Sequence, residues 1–141
     1  MNDVVKLDGS SLTRVQLVDV ARGAQVALDA EALKRVARAA DFLAAQVARE
    51  EPIYGVSTGF GSNADKLLGA HPLRDELPGA KPSGVSPHIE LQHNLIVTHA
   101  VCVGEAFAPE VVRAMLCIRI NTLLRGHSGI RVQTLQALAD M

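Results

Sequence analysis

The sequence predicts a mainly α-helical chain with short strands near its start, and three observations carry that expectation. Apolar residues fill 48% of its 141 positions but aromatics only 3%, so alanine, leucine and valine supply the core. Small aliphatic residues with good helix propensity favour closely packed helices over a β-sandwich. Apolar positions recur at three- and four-residue steps in the longer segments, and Pro and Gly fall between those segments. A chain of this length is one domain or part of one, and it can bury roughly two-thirds of its unfolded surface.

Val4 to Leu7 reads as a short strand, closed by the turn signal Asp8-Gly9-Ser10. Thr13 and Gln16 fit a capping box that opens a short helix, and Gly23 closes it. Gln25 to Leu28 reads as a second short strand. Asp29 is then the N-cap of the clearest helix, running to about Glu50. Leu33, Val36, Ala37, Ala40, Ala44 and Val47 form its apolar stripe, and Glu31 and Arg35 are spaced for an i,i+4 pair. Pro52 marks its end.

Residues 62–87 are different in kind. Leu67 and Leu68 fit a single helical turn, but the density of Pro, Gly and Ser predicts a long irregular loop. Ser86 at N-cap and Pro87 at N1 start a helix expected to reach about Glu105, with Leu91, Leu95, Thr98, His99 and Cys102 on one face. Pro109 begins another, up to Leu124, with Gly126 as its stop. A last helix begins near Arg131 and is expected to be incomplete at Met141.

Charge excludes some functions. With 14 basic and 15 acidic residues the formal net charge is -1, which offers no footprint for nucleic acid or an anionic membrane. Lys34, Arg35 and Arg38 read as one solvated helix face. Cys102 and Cys117 lie in apolar stretches and are expected to be buried thiols in a reducing compartment. No basic segment followed by an apolar one opens the chain, and no apolar run approaches the roughly 20 residues of a membrane span. The expected location is the cytoplasm. The five histidines show no HExxH or paired i,i+4 spacing, so no metal site is expected.

The chemical candidates begin with Ile53-Tyr54-Gly55-Val56-Ser57-Thr58-Gly59-Phe60-Gly61, which sets the only tyrosine among three glycines and two hydroxyls. No lysine follows the glycines, so this is not a GxxxxGK phosphate loop, and Gly59-Phe60-Gly61 is only a fragment of GxGxxG. Two readings stand: a structural Gly-rich turn, or a lid carrying a general acid or base. His99 likewise reads either as a satisfied core histidine or as a ligand-facing group. Arg119, Asn121 and Arg125 interrupt an apolar helix and read as a solvated face or a structural ion pair.

Three segments together resemble the aromatic amino-acid ammonia-lyase family. They are the Tyr54–Gly61 loop, Leu91-Gln92-His93-Asn94-Leu95-Ile96-Val97-Thr98-His99-Ala100, and Arg119-Ile120-Asn121-Thr122-Leu123-Leu124-Arg125-Gly126-His127-Ser128-Gly129-Ile130-Arg131. They occur in the family's order, and the resemblance runs from the first residues to the last. It implies that the helices lead into the start of a long-helix bundle. Residues 1–87 would be the N-terminal lyase domain, with the catalytic lid and the long loop, and 88–141 the first helices of a central helical core.

The resemblance also implies chemistry. In this family an Ala-Ser-Gly tripeptide cyclises to a methylideneimidazolone, an electrophile that captures the substrate's amino group. Tyr54 matches the lid tyrosine assigned as the base for the β-proton, with Gly55, Gly59, Phe60 and Gly61 positioning and releasing it. A free phenol has a pKa of about 10, so such a site must lower it to act near neutral pH. Thr98 and His99 match the position that contacts the substrate's side chain. A small hydroxyl residue followed by histidine is the pattern of histidine-type members, which makes His99 the partner of an imidazole.

The departures from the pattern are specific. Cys102 stands where histidine-type members usually have glycine, Ser57 where asparagine or threonine is common, and the loop from Ser62 to Glu90 is longer than in compact members. No Ala-Ser-Gly occurs in the chain, and Pro82-Ser83-Gly84 precedes the position where the family carries it. The expectation is the N-terminal portion of a lyase converting L-histidine to urocanate, inactive in isolation and homotetrameric when complete. A phenylalanine or tyrosine ammonia-lyase, or an aminomutase using the same electrophile, is the alternative within the family. A non-enzymatic interaction module derived from a lyase is the alternative of another class.

Overall fold

The computed structural model describes residues 4–49, 51–59 and 87–141. Its elements in chain order are β1 (Val5–Leu7), α1 (Arg14–Ala21), β2 (Val26–Leu28), α2 (Ala30–Ala48), α3 (Pro87–His99), α4 (Pro109–Leu123) and α5 (Val132–Ala139). The mainly helical expectation with short early strands holds. The long loop of 62–87, Phe60, Gly61 and the Ser86 cap lie outside the described residues, apart from Pro87, which opens α3.

The described residues form two compact units, one from Met1–Ala44 with Glu105–Met141 and the other from Ala45–Gly104. The boundary between 87 and 88 read from the sequence falls inside the second unit. In the first unit β1 and β2 pair in parallel, with Val5 opposite Val26 and Leu7 opposite Leu28. Parallel neighbours need a crossover, and α1 supplies it.

The ends of α1 are closed within a few residues. Thr13 Oγ1 accepts from Gln16 N at 3.2 Å while Gln16 Oε1 accepts from Thr13 N at 2.9 Å, the expected capping box. At the other end Gly23 N donates to Val20 O and Ala24 N to Asp19 O, a Schellman closure. Arg113 of α4 reaches this end too, donating to Val20 O at 2.9 Å and Ala24 O at 3.2 Å. A cation at the carbonyl end of a helix is also favoured by the helix dipole.

The core of this unit is built from Leu7 of β1, Val20 of α1, Val36 of α2, Cys117 and Ile120 of α4, and Leu135 of α5, all buried, with Val26 and Leu28 of β2 partly buried against them. Fully burying a leucine such as Leu7 or Leu135 stabilises by roughly 1.5–3 kcal/mol. Asp29 caps α2 as expected, its Oδ1 accepting from Ala32 N at 2.9 Å, and it pairs with Lys6 at 2.6 Å. Gly126 lets the turn after α4 press against α2. Its φ is +74°, and an added Cβ would lie 3.0 Å from three atoms of Arg35.

Several expectations need correction. Arg35 does not pair with Glu31. It turns inward and donates to Asp8 O at 2.7 Å and Leu124 O at 3.5 Å, while Lys34 takes Glu31 at 2.7 Å. Two carbonyls at a helix end and a turn are better partners for an inward guanidinium than one solvated carboxylate. Helix α3 stops at His99, short of Glu105. Val101 N bonds back to His99 O, and the β-branched Val101 and Val103 followed by Gly104 at φ +107° do not favour continued helix. Cys102 therefore lies beyond the helix and is exposed, not buried, whereas Cys117 is buried and its thiol pKa is pushed up by that burial. Helix α5 is formed over Val132–Ala139, with Asp140 N bonded to Gln136 O.

Candidate functional site

The loop that carries Tyr54 is folded on itself by two buried hydroxyls. Ser57 Oγ accepts from Ile53 N at 2.7 Å and donates to Glu51 O at 2.6 Å. Thr58 Oγ1 accepts from Gly55 N at 3.3 Å and lies 3.1 Å from Gly59 O as donor. Ile53 O gathers the backbone N–H groups of Val56, Ser57 and Thr58. Serine and threonine favour such local turns because their hydroxyls reach backbone groups a few residues away.

The result is a compact turn with its polar groups inside and its phenol outside. Ser57 and Thr58 are 7% and 3% exposed, whereas Tyr54 is 64% exposed. Gly55, next to the tyrosine, has φ +71°, a left-handed conformation that side chains other than glycine's resist. Gly55 and Gly59 thus sit in the turn as bonding partners of Thr58. The roles of Ser57 and Thr58 were not read from the sequence. Their signal was two adjacent hydroxyls three and four residues after Tyr54, in a segment with three glycines.

Thr98 and His99 stand at the end of α3, in the same unit as the Tyr54 turn. Thr98 Oγ1 donates to Asn94 O at 2.6 Å, and His99 Nδ1 lies 2.9 Å from Leu95 O and 3.1 Å from Thr98 Oγ1. The structure therefore joins these two candidates directly. Both are exposed, so His99 is not a core histidine satisfied by burial among apolar side chains. Leu91 and Leu95 on the same helix are half-buried, and Ile96 and Val97 are exposed.

Other candidates behave structurally. Arg119 and Arg125 are exposed, and Asn121 Oδ1 accepts from Gly9 N at 2.9 Å, tying α4 to the turn after β1. A cavity of about 750 Å³ lies in the first unit between the end of α1, α4 and the end of α5, and it includes Arg113 and Cys117. None of Tyr54, Thr98 and His99 lines it. Among the described residues no three His, Cys, Asp or Glu side chains group as a metal site, and no helix is long and apolar enough to cross a membrane.

A chain with a serine-braced tyrosine turn and a hydroxyl–histidine pair closing a helix matches one family along nearly its whole length. Residues 12–141 fit the aromatic amino acid lyases, and the chain belongs to that family. It is 43% identical over 131 residues to a histidine ammonia-lyase of Symbiobacterium thermophilum, covering 92% of this chain and 23% of that protein. Among solved structures, a tyrosine aminomutase from Streptomyces globisporus superposes with a TM-score of 0.80 at 30% identity, over 98% of this chain and 24% of the other. A histidine ammonia-lyase from Trypanosoma cruzi gives 0.74 at 35% identity, over 97% and 23%. The chain thus spans about a quarter of the length of the relatives it matches.

Proposed function

We propose that these residues are the N-terminal portion of an ammonia-lyase that converts L-histidine to urocanate. The observation that carries this reading is the Thr98–His99 pair, which offers an imidazole from an exposed helix end. The identity to histidine ammonia-lyases supports the same substrate class. In the reaction the Cβ–H bond breaks and its electron pair forms the Cα=Cβ double bond, while the Cα–N bond breaks and its pair leaves with the nitrogen. A methylideneimidazolone would supply the electrophile for the amino group, and the Ala-Ser-Gly from which it would form is not among these 141 residues.

The residues of this chain do the rest of the assigned work. Tyr54, exposed on its turn, takes the β-proton as general base. Ser57 and Thr58 hold the turn, and Gly55 provides the backbone freedom for it to move. His99 orients the substrate ring through a neutral hydrogen bond, without burying a charge. Alone, the 141 residues would not turn over substrate. In the complete protein we place the chain in a cytoplasmic homotetramer, for which the exposed Val111, Met115 and Ile118 along α4 provide apolar surface to cover.

The similarity to a tyrosine aminomutase favours a second reading, in which the same residues serve a mutase or a lyase for a phenolic substrate. Assay of the full-length gene product with histidine, tyrosine and phenylalanine separately decides between them. Urocanate absorbance from histidine alone is expected, and turnover of only the phenyl or phenolic substrates would refute the role of His99. Tyr54→Phe in the same protein is expected to lower kcat by roughly 10²–10⁴-fold or more while leaving the electrophile intact. Near-normal activity would remove Tyr54 from the mechanism.

A further inference from the structure

The proton on the His99 ring has a defined place. Leu95 O can only accept, and it lies 2.9 Å from Nδ1, so in the neutral ring Nδ1 carries the hydrogen. The Thr98 hydroxyl has a single hydrogen, directed at Asn94 O at 2.6 Å. A lone pair on Oγ1 then faces Nδ1 at 3.1 Å. The ring N–H is shared between two acceptors, and Nε2 keeps its lone pair.

We propose that Thr98 is a positioning residue: with the Leu95 carbonyl it holds neutral His99 in the Nδ1–H form, so that Nε2 accepts and the substrate ring must donate. This rests on the reading of His99 as the partner of the substrate side chain. An imidazole N–H meets the requirement. A phenyl ring brings no donor. A thiazole ring keeps an acceptor nitrogen but has no N–H, and would set one lone pair against another. Sites built around a hydrogen bond discriminate strongly against analogues that lack the matching group, because a polar atom is left unpaired. Thr98 thereby influences specificity through His99, without touching the substrate.

The test uses the full-length gene product labelled with nitrogen-15 at histidine, near pH 8, where an ordinary imidazole is neutral. The difference spectrum against His99→Gln isolates the His99 ring. The expected result is the Nδ1–H tautomer in the unmodified protein. Thr98→Val should shift the tautomer ratio about fivefold towards Nε2–H, the effect of one hydrogen bond of ordinary net strength. Thr98→Ser should restore it. An Nε2–H ring in the unmodified protein, or a Val variant with an unchanged ratio, overturns the proposal.

Kinetics supply the second arm. Thr98→Val should raise KM for histidine in proportion to the measured loss of the Nδ1–H fraction, by less than about fivefold, with kcat little changed and recovery in Thr98→Ser. A KM that does not follow the measured Nδ1–H fraction across the three proteins overturns the link to substrate. If His99→Gln itself leaves the histidine KM unchanged, the functional reading of His99 fails, and the spectrum still decides the tautomer independently.

Discussion

Ser57→Ala tests whether the Tyr54 turn is held by its buried hydroxyl. The substitution removes an acceptor 2.7 Å from Ile53 N and a donor 2.6 Å from Glu51 O, at a side chain only 7% exposed. The two losses are unequal. Glu51 is exposed, so water can replace the donor to its carbonyl; Ile53 is half-buried, and its N–H loses its acceptor inside the turn. A buried donor left unsatisfied costs about 1–3 kcal/mol, and partial access to water places this one at about 1–2 kcal/mol. The backbone bonds from Val56, Ser57 and Thr58 to Ile53 O remain, so the turn is loosened and not abolished.

Amide hydrogen exchange reads that local change directly. One to two kcal/mol corresponds to about a 5–30-fold faster exchange of the Ile53 amide, with α4 and the core strands unaffected. In the full-length protein kcat should fall while KM for histidine stays close to its original value, because the Thr98–His99 pair is unchanged. Unaltered exchange at Ile53 would refute the argument that Ser57 braces the turn. A loss spread equally over the first unit would refute its locality.

Two glycines with positive φ should respond differently to alanine. Gly23, at φ +113° with open space around it, should lose only the left-handed penalty of about 1–2 kcal/mol, whereas Gly126→Ala should lose about 1–3 kcal/mol more as its Cβ meets Arg35. Equal shifts in urea midpoint would show that the Arg35 backbone yields without cost. Asp8 accepts from the backbone N–H groups of Ser11 and Ser10, which holds its carboxyl well below the usual carboxylate range. A depressed folded-state pKa gives stability that is fully present above the unfolded value of about 4 and is lost as pH falls below it. Asp8→Asn should therefore flatten the acid limb of a stability–pH curve below about pH 4, and an acid limb identical to the unmodified protein's would refute the stabilising role of the Asp8 carboxylate in its turn.

What could be read from the sequence divides by range. The capping box at Thr13, the closure around Gly23, the Asp29 cap and the Pro109 start all depend on groups within a few residues, and each stands where expected. The inward turn of Arg35 and the bond from Gly9 to Asn121 depend on partners 27, 89 and 112 residues away, which periodicity does not encode. The parallel register of β1 and β2 is likewise set by packing over α1. The candidate site sits between these extremes. Tyr54 and His99 could be singled out only by resemblance, because a lone tyrosine among glycines and a lone histidine on a helix each have a structural explanation. Their supports are local: Ser57 and Thr58 lie within four residues of Tyr54, Leu95 within four of His99, and Asn94 within four of Thr98. Each candidate group is therefore oriented by its own short segment. Substitutions in one segment should alter that segment's group first, which is why Ser57→Ala and Thr98→Val are expected to move different kinetic constants.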